Sequence, residues 1–210
     1  MIIAVDGPSA AGKGTLARGI AQHLGYHFLD TGALYRMVGL QMLRTQTAFS
    51  DAISAAAFAR DLNVDDFEDH ELRSEVVGSG ASKVAVIPEV RAALIKFQRD
   101  FAQRLPGAVL DGRDIGTVIC PKADVKFYIT ASAEARVLRR FKELQGLGIA
   151  TSLDEVTADI KTRDARDARR TLAAVDAVVV DTSDLGVKEA LELVLGAIKA
   201  KSLFNLTVGV

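Results

Sequence analysis

The first apolar residues of the chain form one short continuous run, residues 2–5, which ends at Asp6. Such a run is typical of a strand that is buried on both faces. Apolar residues then recur at every fourth position, which is the spacing of one helix face, at Leu16, Ile20 and Leu24. Gly25 follows as a helix stop. The chain therefore opens with a strand, a glycine-rich loop and a helix.

Further short apolar runs suit strands, and helical periodicity follows each of them within a few residues: 26–29, 109–110, 125–129 and 177–180. Helical patterns cover 33–43, 52–60, 88–105, 152–166 and 187–199. Ser152 and Glu155 predict a capping box at the start of one helix. The alternation of strands and helices predicts an α/β fold, a parallel sheet with helices on both faces.

Residues 45–105 interrupt this alternation with mainly helical sequence. Pro88 suits the first turn of the last helix in this stretch, and Pro106 with Gly107 ends that helix. We therefore expect a subdomain inserted into one domain. We predict no helix or strand for the apolar tail, residues 204–210.

Composition narrows the function classes. The 210 residues are 49% hydrophobic and 25% charged, as in globular proteins, and the net charge is −1. We expect no nucleic acid or membrane partner, because the chain has no bulk positive charge. Cys120 is the only cysteine, which excludes an internal disulfide and fits a reducing compartment. Without a signal-peptide pattern or an apolar run of about 18 residues, a cytoplasmic protein is expected.

A glycine-rich segment, here named the phosphate loop, follows the first strand and opens the first helix. It consists of Gly7, Pro8, Ser9, Ala10, Ala11, Gly12, Lys13, Gly14 and Thr15. Its glycines permit a tight backbone that directs N–H groups inward, and the helix N-terminus adds partial positive charge. Lys13 can reach the β and γ phosphates of a nucleotide. The segment predicts ATP binding with Mg²⁺.

Two residues are candidates for the metal side of this site. The usual loop has Ser or Thr directly after the lysine, whereas here Gly14 intervenes, so the metal-side hydroxyl is assigned to Thr15. Asp111 ends the strand at 109–110 and could orient Mg²⁺ or its waters. An N-cap of a helix is the alternative role for Asp111.

Arginines concentrate between residues 136 and 170, where nine basic residues face six acidic ones. By helical spacing they form two stripes that could close over a triphosphate: Arg136, Arg139 and Arg140, and Arg163, Arg166 and Arg170. A solvated helix face paired with acidic neighbours is the alternative. Arg36 and Arg113 follow strand ends, where α/β sheets bind ligands, and are candidates for a second phosphate.

These residues are compatible with more than one kind of group that could accept a phosphoryl group from ATP. A phosphate acceptor is already ionised at neutral pH and needs no general base. A hydroxyl acceptor would need one, and Asp30 or Asp114 could serve, so a kinase of a small hydroxyl metabolite is one alternative. A nucleotide-binding switch without an acceptor is another.

Four motifs in the same order resemble those of the bacterial cytidylate kinases, a family of nucleoside monophosphate kinases. They are residues 7–15, 30–36, 81–85 with 88–91, and 111–117. The resemblance implies transfer of the γ-phosphoryl group from ATP to CMP or dCMP. It also implies a single phosphate-loop kinase domain with a core at 1–35 and 107–210, an inserted acceptor-binding subdomain at 36–106 and an arginine-rich lid at 136–170. We expect a monomer.

The same resemblance assigns individual residues. It gives the cytosine to Ser82, Arg91 and Asp114, and the acceptor phosphate to Arg36, Arg113 and Arg170. Arg163 and Asp167 would lie near the ribose hydroxyls, with Thr31 and Tyr35 beside the site and Arg139 and Arg140 on the triphosphate. The assigned catalytic residues are Lys13, Arg113, Arg139, Arg140 and Arg170. Arg169 is the alternative to Arg170, because the match is looser there.

Overall fold

A computed structural model describes the backbone of residues 1–208 and the side chains of residues 1–201 except 73 and 75. The strands in this part of the chain are β1 (Ile2–Asp6), β2 (His27–Asp30), β3 (Ala108–Gly112), β4 (Val125–Thr130) and β5 (Val178–Asp181). The helices are α1 (Lys13–Leu24), α2 (Thr31–Arg44), α3 (Ala52–Arg60), α4 (Glu75–Val84), α5 (Pro88–Ala102), α6 (Ala133–Gly146), α7 (Leu153–Asp167) and α8 (Val187–Val208). A π-helical turn covers Ile115–Ile119.

The strands form one sheet in the order β2-β3-β1-β4-β5. β1 lies at its centre and pairs in parallel with β3 and β4, and β4 pairs in parallel with β5. Helices lie on both sides of the sheet. The predicted α/β fold is confirmed. The continuous apolar run at the start of the chain is explained as well, because residues 3–6 are buried in this central strand.

The chain divides into two compact units, one formed by Met1–Phe28 with the chain from Ala102 onward and the other by Leu29–Phe101. The first unit has a core of strand and helix residues that includes Ile3, Ile20, Phe127 and Val194. The second has its own core, which includes Leu34, Val38, Met42 and Leu94. The predicted insert at 36–106 and lid at 136–170 stay predictions, because compactness does not show what either segment binds.

Local signals predicted one helix start correctly, whereas two predicted helix ends differ from the structure. The capping box of Ser152 and Glu155 is present at the start of α7. The helix predicted to end at Leu105 is shorter and ends at Ala102. Leu105 is exposed and precedes Pro106, a position that disfavours helical backbone. The last helix extends to Val208, beyond the predicted end at 199, and positions 209 and 210 lie outside the described residues.

Two further features bear on the expectations from composition. Cys120 is buried. Within residues 1–208, no helix combines the length and the apolar character needed to cross a membrane.

Substitution of Leu94 tests whether the second unit has a stabilising core of its own. It is fully buried on α5, so Leu94→Ala should lower the free energy of unfolding by about 2–5 kcal/mol through lost burial and a cavity. Ile53→Ala, at a position on α3 that is 84% exposed, should change it by about 0.5 kcal/mol or less. Urea denaturation measures both variants, and equal losses would contradict this account of the core.

Candidate active site

The phosphate loop connects β1 to α1 and needs glycine at its first position. Gly7 has a φ of 145°, and a Cβ there would lie 1.9 Å from the carbonyl oxygen of Ile129. Gly12 has a left-handed φ of 89° and caps α1 without a side-chain hydrogen bond. The start of α1 is therefore free of a competing side-chain cap, as in helix N-termini that bind phosphate.

Lys13 is buried within the phosphate loop, where its side chain is 7% exposed. Its Nζ donates to the carbonyl oxygen of Pro8 at 3.1 Å and lies 3.8 Å from Asp111 Oδ1. The ammonium group is thus held between the loop and the end of β3. This is the location from which a lysine can neutralise bound phosphates.

Asp111 belongs to β3 and is 8% exposed, so the structure does not support the alternative role as a helix N-cap. A Cβ at Gly14 would lie 3.1 Å from Asp111 Oδ2. Because Gly14 has no Cβ, the loop can approach this carboxylate closely. The residues of the loop with positive φ values are Gly7, Ala10 and Gly12.

These residues fit a magnesium ion that is bound chiefly through nucleotide phosphates. Mg²⁺ in such sites uses one or two carboxylates, substrate oxygens and water, and Asp111 supplies a carboxylate beside the loop. Within the described residues, no cluster of three or more His, Cys, Asp or Glu side chains could hold a metal by itself. Position 14, rather than Thr15, approaches Asp111, and Thr15 is exposed, so its assignment to the metal stays a prediction.

Asp6 is a buried residue of this centre that the sequence analysis did not select. It is 3% exposed, and its carboxylate accepts hydrogen bonds from the backbone N–H groups of Ile115 at 2.8 Å and Gly116 at 2.7 Å. Burial raises the pKa of Asp6 to about 6, and the nearby charges of Asp114 and Asp111 act in the same direction. The only local signal was a carboxylate at the end of an apolar run.

Residues 112–116, here named the acceptor turn, carry Arg113 and Asp114 from the end of β3 into the π-helical turn. Arg113 Nε lies 3.2 Å from Asp167 Oδ2, and Arg170 Nη2 lies 2.7 Å from Asp167 Oδ1. Two guanidinium groups from distant parts of the sequence thus converge on one carboxylate. Arg170 takes part in this contact, whereas Arg169 is exposed, which favours Arg170 over its neighbour.

The first predicted arginine stripe has three different environments. Arg136 is buried, makes a bidentate contact with Asp164 at 2.9 and 2.7 Å, and donates to the carbonyl oxygen of Ser9 at 3.3 Å. Arg140 lies 3.0 Å from Glu143. The guanidinium of Arg136 joins α7 to the phosphate loop within the protein, and the expected stripe over a triphosphate stays a prediction.

Arg139 contacts the phosphate loop through Thr182, another residue that sequence reasoning missed. Arg139 donates to the hydroxyl of Thr182 at 2.9 Å and to its carbonyl oxygen. The Thr182 hydroxyl is also 3.0 Å from the carbonyl oxygen of Ala11 in the loop. In the second stripe, Arg163 pairs with Asp159 of the same helix at 2.9 Å.

The second unit holds the remaining predicted residues. Asp30 accepts from Ala33 N–H as the N-cap of α2 and lies 2.6 Å from Arg36 Nη2. Ser82 Oγ donates to the carbonyl oxygen of Gly78, one turn earlier in α4. Three further predicted residues lie on the helices of this unit: Thr31 is buried, and Tyr35 and Arg91 are partly buried.

Comparison with known proteins places these motifs in a family. The sequence model of the cytidylate kinases matches residues 3–200. A curated cytidylate kinase of Paramagnetospirillum magneticum is 51% identical over 207 residues, covering 95% of this chain and 98% of the relative. That of Rhodospirillum rubrum is 50% identical over 210 residues, covering 96% and 99%.

Solved structures with the same fold are more distant in sequence. A shikimate kinase from Bacteroides thetaiotaomicron aligns with a TM-score of 0.54 at 12% identity, covering 95% of this chain and 98% of that one. A gluconokinase from Sinorhizobium meliloti aligns with a TM-score of 0.54 at 17% identity, covering 97% and 95%. Likeness at such low identity shows the fold alone. The sequence match, by contrast, spans nearly the whole chain, with about half of the positions identical. This match shows that the chain belongs to the cytidylate kinase family.

Proposed function

We propose that this protein transfers the γ-phosphoryl group of ATP to CMP or dCMP, giving ADP and CDP or dCDP in a reversible reaction. Membership of the cytidylate kinase family supports both the reaction and the acceptor. The structural observation that carries the proposal is the convergence of Arg113 and Arg170 on Asp167. A pair of guanidinium groups is suited to an anionic acceptor.

Transfer to a phosphate acceptor would need no general base. The second pKa of such a phosphate is near 6, so it arrives ionised and nucleophilic at neutral pH. Asp30, one candidate base for a hydroxyl acceptor, already caps α2 and pairs with Arg36. All three histidines, His23, His27 and His70, are exposed. The contacts of Asp30 argue against it as the general base of a hydroxyl kinase, and family membership supports the phosphate acceptor, a choice that the fold alone does not make.

The donor is assigned to the phosphate loop. Backbone N–H groups of the loop and the start of α1 would bind the ATP phosphates, with Lys13 neutralising their charge. Bound Mg²⁺ would neutralise further charge on the phosphates, and Asp111 would orient it or its waters, with Thr15 as the predicted hydroxyl ligand. Arg139 and Arg140 are proposed for the triphosphate, which requires them to exchange their present partners Thr182 and Glu143 for phosphate oxygens.

The residues that bind the acceptor are assigned by their match to the family motifs. Arg36, Arg113 and Arg170 would bind the phosphate of CMP, whose oxygens are charged acceptors like their present carboxylate partners, Asp30 for Arg36 and Asp167 for the other two. Arg163 and Asp167 would lie near the ribose, with Thr31 and Tyr35 beside the nucleotide. A carboxylate can accept from the cytosine amino group and an arginine can donate to its ring acceptors, which suits Asp114 and Arg91, with Ser82 as a third contact.

Catalysis in this proposal consists of positioning and charge neutralisation. The two nucleotides repel one another, and the guanidinium and ammonium groups reduce that repulsion most where charge develops on the transferring phosphoryl group. Closure of the insert at 36–106 and the lid at 136–170 would exclude water. We further propose that the enzyme is a cytoplasmic monomer without nucleic-acid or membrane partners.

An assay of the purified protein with magnesium ATP and each nucleoside monophosphate tests the reaction. CMP and dCMP should yield diphosphates and ADP, and omission of Mg²⁺ should abolish both products. ADP formation that is independent of any monophosphate would instead indicate a nucleotide-binding switch. Product formation only with a small hydroxyl compound would support the other class of kinase.

The arginine pair is tested by three single substitutions. Arg113→Ala and Arg170→Ala should each lower kcat with CMP by about 10²–10³-fold, because each removes a preorganised positive group, and leave ATP affinity almost unchanged. Arg169→Ala is the matched control at the adjacent exposed position and should retain activity. Steady-state kinetics and calorimetric ATP binding measure the two effects. A defective Arg169→Ala beside an active Arg170→Ala would reverse the assignment.

Asp114 is tested through base selectivity. Asp114→Ala removes the carboxylate assigned to the cytosine amino group and should reduce the preference for CMP over UMP by about tenfold or more, since one such contact discriminates by about 1–3 kcal/mol. The ratio of kcat/KM for the two nucleotides is the measurement. An unchanged ratio would remove Asp114 from cytosine recognition.

A further inference from the structure

Asp6 is a buried carboxylate to which the proposed reaction gives no role. It is the last residue of β1, and the chain continues directly from it into Gly7 of the phosphate loop. The backbone of Asp6 is therefore part of the support of the ATP site. Its side chain, by contrast, makes its hydrogen bonds to a different segment.

Both oxygens of the Asp6 carboxylate bind the acceptor turn. Oδ1 accepts from Ile115 N–H at 2.8 Å, and Oδ2 accepts from Gly116 N–H at 2.7 Å. These donors lie 109 and 110 residues further along the chain. Two short hydrogen bonds to an ionised group hold a backbone segment more firmly than neutral ones do.

Gly116 is shaped for this contact. A Cβ at that position would lie 3.3 Å from Asp6 Oδ2 and 3.1 Å from Lys126 Cδ, which is tighter than most real Cβ contacts. Ile115 is fully buried, so the turn is anchored by an apolar side chain as well as by the carboxylate. Because Gly116 has no Cβ, the carboxylate of Asp6 can approach the turn closely.

The bonded N–H groups lie next to the residues assigned to the acceptor. Ile115 directly follows Asp114, and Arg113 precedes Asp114. A displacement of the turn would move the arginine that is assigned to the acceptor phosphate. An error of about 1 Å in such a position can lower a reaction rate about 10²-fold.

The electrostatic cost of this arrangement supports a functional role. Burial raises the free energy of a charged Asp6 and thereby its pKa, and the nearby charges of Asp114 and Asp111 act in the same direction. On the strand packed against β1, Lys126 donates to Pro121 and Asp176, and Tyr128 also faces this region. A buried charge that is costly for folding is characteristic of functional centres.

We propose that Asp6 is a positioning residue, which fixes Arg113 and Asp114 relative to the phosphate loop so that the acceptor phosphate meets the γ-phosphoryl group. The proposal rests on the proposed function and adds to it. Asp6 touches neither nucleotide. It acts through the acceptor turn, and its loss should affect the acceptor and the transfer step more than the binding of ATP.

Asp6→Asn is the main test, because it preserves shape but places an amide group opposite one of the two backbone N–H donors. We expect kcat/KM for CMP to fall about tenfold or more, through a lower kcat and a higher KM for CMP. The Kd for magnesium ATP, measured by calorimetry, should stay within about twofold. Wild-type values of kcat and KM for CMP, or an equal loss of ATP affinity, would overturn the proposal.

Two further variants separate positioning from stability. Asp124→Asn is the matched control, because Asp124 accepts from Ile2 N–H at the opposite end of β1, and it should retain wild-type kinetics. Gly116→Ala should reproduce the kinetic pattern of Asp6→Asn, and the double variant should lose little more than either single one. If Asp6→Asn does not fold, Gly116→Ala carries the test, and wild-type kinetics there would overturn the proposal.

The wild-type enzyme separates the two possible failures. Absence of CDP formation by the wild type would refute the proposed function itself. An active wild type with unaffected Asp6→Asn and Gly116→Ala variants would refute only the role of Asp6.

Discussion

The parallel pairing of β1 with β3 is the constraint on which the candidate site depends. In this register Val5 is opposite Asp111 and Asp6 is opposite Gly112, so the two strands end at the same edge of the sheet. The phosphate loop leaves β1 and the acceptor turn leaves β3 at that edge. A polar centre arises there because parallel strands direct their carboxyl ends, and the loops that follow them, to one side.

Several acidic side chains and one lysine lie close together at this edge of the sheet. Asp6, Asp111 and Asp114 are buried carboxylates within a short distance along two neighbouring segments, and Lys13 lies near one of them. Burial of several like charges is unfavourable for folding. Hydrogen bonds from backbone N–H groups to Asp6 offset part of that cost, so the acceptor turn and the carboxylate stabilise one another.

The arginines show how the same residue type serves different purposes in one region. Arg136 is buried and satisfied by Asp164 and the carbonyl oxygen of Ser9, which makes it a structural link to the phosphate loop. Arg113 and Arg170 are partly exposed and share a single carboxylate. A partly exposed guanidinium can exchange its partner for a ligand at low cost, whereas a buried guanidinium with a bidentate partner is costly to leave unpaired.

The sequence by itself determined the features that depend on near neighbours. The phosphate loop, the capping box at Ser152 and the strand and helix order follow from short spacings, since such contacts lie within a few residues. Family motifs also selected Arg113, Asp167 and Arg170, which are in contact in the structure and whose roles stay predictions. Only the tertiary structure decided which side chains meet: Asp6 with the turn at Ile115, Arg136 with Asp164, and Arg139 with Thr182. Their partners are 28 to 109 residues away, and sheet order and helix packing, which no local pattern specifies, bring them together.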